Sequence, residues 1–134
     1  MAEKTETKTE IITLREDGIV HCVAKPEAYI TLEDAQENIQ AISKIAKGIK
    51  SPVLVDIRKS SGASKEARKY FSSPEVATVQ SAVAMLIDSG FSKLMGNFFI
   101  GLNKPLFPLK LFTNMDEAIK WLAPFTTRND EKRA

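Results

Sequence analysis

Few residues in this 134-residue chain have the types and spacing that catalysis requires. The one histidine and the one cysteine, His21 and Cys22, are adjacent in a β-rich run. Neighbours on a strand point to opposite faces, so they cannot act together as base and nucleophile, and Cys22 reads as a small buried hydrophobe. Without a second thiol or imidazole, an internal disulfide and a Cys/His zinc site are excluded, and neither a metal nor a cofactor is expected. The phosphate loop Gly-x-x-x-x-Gly-Lys and the dinucleotide fingerprint Gly-x-Gly-x-x-Gly are both missing from the sequence. What remains is a strand-end acid, Asp56, followed by a basic stretch with Arg58, Lys59, Lys65 and Arg68 against one acid, Glu66. Ligands gather at the C-terminal ends of strands in open α/β sheets, which gives Asp56 a claim to function; its alternative role is to accept amide bonds from its own loop. The basic stretch suits an anion or an acidic partner, but the favoured reading is a solvated helix face, because Tyr70 and Phe71 fit the core stripe and no aromatic residues are interleaved for base stacking.

The elements that would position these residues follow from periodicity. Ile11, Ile12 and Leu14 precede Glu16-Asp17-Gly18, and Ile19, Val20, Cys22 and Val23 follow it, which reads as an antiparallel hairpin. From Thr31 the apolar spacing becomes helical through Leu32, Ala35, Ile39, Ile42, Ala46 and Ile49, with Thr31 and Asp34 spaced as a capping box and Gly48 and Pro52 as stops. Val53-Leu54-Val55-Asp56-Ile57 is an unbroken apolar run ending in an acid, as in a central strand covered on both faces. Ser64 caps a helix with Ala67, Tyr70 and Phe71, and Ser73-Pro74-Glu75 restarts a short turn. Residues 81–87 form a second buried strand and 108–112 a third. Thr113 then caps a last helix, with Ala118, Ile119, Trp121 and Leu122, that Pro124 stops. The order β-β-α-β-α-β-α-β-α defines an α/β fold in which a hairpin edge leads into crossovers.

At 43% hydrophobic and 27% charged residues, the chain has material for one core. A single domain over residues 9–124 is expected, with flexible polar tails at 1–8 and 125–134. A net charge of +2 does not point to nucleic acid. The start has no apolar signal region and no run is long enough for a membrane span, so a cytoplasmic location is expected.

With the elements in place, the sequence resembles the stage II sporulation protein AA-like (SpoIIAA-like) proteins, related in fold to the STAS domains of anti-sigma factor antagonists and sulphate transporters. The resemblance is carried by Val53-Leu54-Val55-Asp56, the run from Arg68 to Glu75, Gly96-Asn97-Phe98-Phe99, Asn103-Lys104-Pro105, Leu111-Phe112-Thr113 and the run from Glu117 to Leu122. It implies a mixed β-sheet with flanking helices, frequent homodimers, a regulatory protein partner and no catalytic activity. In the family's anti-sigma antagonists a serine in an Asp-Ser-Ser-Gly type loop is phosphorylated. Here the loop is Lys59-Ser60-Ser61-Gly62, with lysine where the acid stands, and that departure puts the switch in doubt. Ser60, Ser61 and Ser64 are the candidate regulatory serines; a phosphate there would meet Arg58, Lys59, Lys65 and Arg68. The bland alternative is an ordinary capped loop.

The segment from Phe91 to Leu102 is richer in apolar residues than one sheet face requires. On a helix, Phe91, Leu94, Met95, Phe98 and Leu102 fill one stripe while Phe99 and Ile100 extend beyond it. The excess fits a subunit interface, a pocket for an apolar small molecule, a partner site or a deeper core. The expectation is a non-enzymatic, homodimeric interaction module, with an apolar-ligand carrier as the alternative, since STAS-like folds also resemble lipid-binding folds.

Overall fold

A computed structural model describes residues 3–88 and 105–133, with side chains through Thr126. The segment expected to form the aromatic helix, Phe91 to Leu102, lies outside the described residues.

The hairpin forms as its pattern predicts. Strands β2 (Glu10–Leu14) and β3 (Val20–Ala24) pair antiparallel, with Ile12 opposite Cys22. At its turn the Asp17 carboxylate accepts from the Ile19 amide at 3.1 Å, and Gly18 takes the positive φ of 88° that a side chain disfavours. A further strand precedes it. The 1–8 segment, expected as a flexible tail, contains β1 (Glu3–Glu6), antiparallel to β2. All four of its side chains are exposed, so main-chain pairing to β2 holds it and no apolar signal announces it.

Helix α1 (Leu32–Ile45) has the expected start: Thr31 accepts from the Asp34 amide, and the Asp34 carboxylate accepts from the Thr31 amide at 3.0 Å. Ala35, Ile39, Ile42 and Ile45 are buried along one stripe. The helix stops earlier than Ile49. The Lys47 amide donates to the Lys44 carbonyl and the Gly48 amide to the Ser43 carbonyl, which closes the last turn with Lys47 itself in the left-handed region.

The central strand β5 (Ser51–Asp56) lies between β3 and β7 (Gln80–Leu86), parallel to both. Pro52 sits beside an irregularity in the β5–β7 register, where a missing N–H is tolerated. Helices α2 (Lys65–Phe71) and α3 (Pro74–Val79) connect β5 to β7, and the parallel strand β8 (Leu109–Phe112) closes the order β1-β2-β3-β5-β7-β8. A second, two-stranded sheet pairs β4 (Tyr29–Ile30) with β6 (Gly62–Ala63).

The last helix, α4 (Met115–Arg133), departs from expectation at both ends. Asn114, not Thr113, caps it by accepting from the Glu117 amide at 3.0 Å. It also continues through Pro124 into the segment expected as a tail. Phe125 packs against Trp121 one helical turn back, with ring centroids 5.5 Å apart, and Thr126 beyond Pro124 is buried, so contacts on both sides of the proline carry the helix past the missing N–H.

The sheet therefore separates two apolar layers. One joins Val20, Val53, Val83 and Met85 to α1, α2 and α3; the other joins Leu54, Ala84 and Leu86 to Ala118 and Leu122 of α4. No described helix is long and apolar enough to cross a membrane.

Candidate functional site

The expected loop site begins at Asp56, whose residue is 8% exposed at the end of β5. One carboxylate oxygen accepts from the Arg58 amide at 3.1 Å and from its Nε at 3.0 Å; the other accepts from Nη2 at 2.7 Å. Burial pushes this carboxyl's pKa up, but the Arg58 hydrogen bonds and charge outweigh that and hold it below the ordinary range. Asp56 thus organises its own loop, and Arg58 is committed to it.

The serines are committed as well. Ser60 Oγ donates to the Ala28 carbonyl at 2.9 Å and accepts from the Gly62 amide; Ser61 Oγ donates to the Glu27 carbonyl at 3.0 Å. With the β4–β6 pairing, these bonds zip the Ser-Ser-Gly loop onto residues 27–30. Ser64 caps α2 by accepting from the Ala67 amide at 3.1 Å. Of the three, Ser61 alone is exposed, and Lys59 and Lys65 are exposed while Arg68 is half-buried. His21 and Cys22 face opposite sides as expected: Cys22 is fully buried among Val20, Val53 and α1, and burial together with nearby Glu10 raises its thiol pKa well above the ordinary value. Among the described residues no cluster of three or more His, Cys, Asp or Glu side chains could hold a metal ion.

A second site was not anticipated. Between the sheet and helices α1 and α2 lies a cavity of about 70 Å³, room for on the order of five water-sized spheres. Ala24, Val55, Val83, Met85 and Leu109 line its floor, and Ile39, Ile42 and Phe71 line its helical side. Pro105 and Phe107 lie at its margin. The lining reaches from β2 to β8, four inter-strand steps of about 4.8 Å and so about 19 Å.

Its polar members are few. Glu10, Asn38 and Gln80 are buried there, joined by Ser60 and Ser72. The residues before β2 hold Glu10 in place: Thr7 Oγ1 accepts from the Glu10 amide at 3.0 Å and donates to Asn38 Oδ1 at 2.5 Å, and Asn38 Nδ2 donates to Thr9 Oγ1 at 3.0 Å. The Glu10 carboxyl makes no hydrogen bond or ion pair with a described residue. Burial alone pushes its pKa up to about 7. The sequence contained a signal for this residue. Glu10 stands two before Ile12, so an alternating strand puts it on the face that Ile12 buries.

Antiparallel leading strands, a parallel centre and helices on both faces define a mixed α/β domain with a SpoIIAA-like fold. A structure from Shewanella loihica PV-4, an uncharacterized protein of the DUF3478 family with that fold, matches at a TM-score of 0.50 and 18% identity, covering 91% of this chain and 92% of that one. A protein with unknown function from Arthrobacter sp. FB24 is 31% identical over 90% of this chain and 97% of that one, at a TM-score of 0.36. No curated protein matches. The family model described as Domain of unknown function (DUF7793) matches residues 12–126, and the chain belongs to that family.

Proposed function

We propose that this domain is a non-enzymatic binding module whose cleft beneath α1 and α2 takes a small, largely apolar molecule. The observation that carries the reading is the apolar cavity itself, with its few polar groups buried at named points along the lining. Binding without transformation is supported by the engagement of the loop groups, Asp56 with Arg58 and the serines with main chain. Methyl-resolved NMR with butan-1-ol as probe tests it. Shifts are expected at Ile42, Val83 and Met85, which line the cleft, and not at Leu122 in the opposite layer; shifts spread over both layers or none at all overturn the reading.

A second reading, a homodimeric or partner-binding regulatory module, is favoured by the sheet edge. Strand β8 pairs only with β7 among the described residues, and Leu106 and Leu111 beside that edge are 60% and 39% exposed. Light scattering is expected to give twice the chain mass, and Leu111→Lys to halve it; a monomer at tens of micromolar rejects self-association at this edge.

A further inference from the structure

Resting on the cleft reading, we propose that the ligand is an unbranched apolar molecule ending in a protonated amine, with its ammonium group against the Glu10 carboxyl. Glu10 is 7% exposed, lines the cavity and has no partner among the described residues. An ionised carboxylate in that setting is costly unless a cation or a set of donors meets it. Among the described residues neither is supplied: Glu10 is the single titratable side chain among those lining the cavity, and no lysine, arginine or histidine is among them. The nearby Asn38 amide already uses its oxygen and one N–H on Thr7 and Thr9.

The charged neighbours on the adjoining elements are engaged elsewhere. On β1, Glu6 pairs with Lys25 of the β3 end; on α1, Asp34 lies 3.9 Å from Lys8 Nζ and Glu37 accepts from the Lys8 amide at 3.0 Å. On β3 the Cys22 thiol stays protonated because burial and Glu10 both raise its pKa. A cation on the ligand would complete Glu10, and a cavity with room for on the order of five water-sized spheres admits a short chain beside it.

The test compares butylamine, butan-1-ol and butanoate by methyl NMR titration of the wild-type chain and of Glu10→Gln. At pH 8 butylamine is expected to bind the wild type at least about tenfold more tightly than butan-1-ol, with butanoate weakest. Glu10→Gln is expected to bring amine and alcohol to similar affinity. Between pH 8 and pH 6 butylamine affinity is expected to fall, because the Glu10 carboxyl at about 7 takes up a proton while the amine stays charged; butan-1-ol affinity stays level. Equal amine and alcohol binding to the wild type, or a preference unchanged by Glu10→Gln, overturns this inference and leaves the cleft reading standing. Absence of binding by all three probes overturns both. Should Glu10→Gln fail to bind butan-1-ol, its cleft has collapsed, and the wild-type pH series decides alone.

Discussion

Glu10 and Asp56 are both carboxyl residues more than nine-tenths buried, at 7% and 8% exposure, yet their acidities move in opposite directions. Asp56 is met by three donors from Arg58, so the folded state favours its charge. Glu10 is met by apolar lining, so the folded state resists its charge. The pair teaches that burial by itself does not set a carboxyl's role; the partners that arrive with it do. Asp56 is a group whose chemistry the fold has used to shape a loop. The Glu10 carboxyl has no such use among the described residues.

The sharpest way to break this contrast is Glu10→Gln. Its folded pKa lies above the ordinary value, so the native form holds a proton that the unfolded chain has released, and stability falls as pH rises from about 4.5 to about 7. Removing the charge is expected to stabilise the protein by about 2–3 kcal/mol at pH 8, with the gain shrinking on acidification and gone near pH 4, as urea unfolding at several pH values would read. No gain at pH 8 would mean that Glu10 has a partner there. Next in size, Thr7→Val removes the hydroxyl shared by Asn38 and the Glu10 amide, and is expected to cost about 2 kcal/mol because both are buried; it should also shift the Glu10 carboxyl resonance, which a purely remote role would leave in place. Smallest is Asp56→Ala, at about 1 kcal/mol, since Arg58 is partly exposed and solvent screens the pair. Its pH sense is opposite to that of Glu10. Asp56 has a lowered folded pKa, so its contribution is present above the ordinary carboxylate range and lost as pH falls through the folded value; the cost of the substitution should vanish in acid.

Much of the fold was legible residue by residue. The hairpin, the Thr31–Asp34 box of α1, the buried runs of β5 and β7 and the Ser64 cap all rest on neighbours within a few positions. The misses share a cause. Strand β1 has no apolar side chains to mark it and exists because β2 offers a free edge; α4 passes Pro124 and buries Thr126 beyond it against the rest of the fold. At the loop, the types of Asp56, Arg58 and the serines were visible, but their mutual commitment depends on residues 27–30 coming alongside. The cleft was hidden more deeply, since its lining is drawn from six strands and two helices scattered along the chain.

The sequence by itself determined the α/β class, the hairpin, α1 and the buried strands β5 and β7 through their periodicities and caps, and the scarcity of nucleophile, metal and disulfide chemistry, because these depend on residue type and near spacing. Only the tertiary structure decided that Asp56 is met by Arg58 while Glu10 has no partner among the described residues, and that a small, largely apolar cavity lies beside Glu10. The physical reason is that a carboxyl's free energy is set by what surrounds it within a few ångströms, and for a buried group those surroundings come from distant parts of the chain.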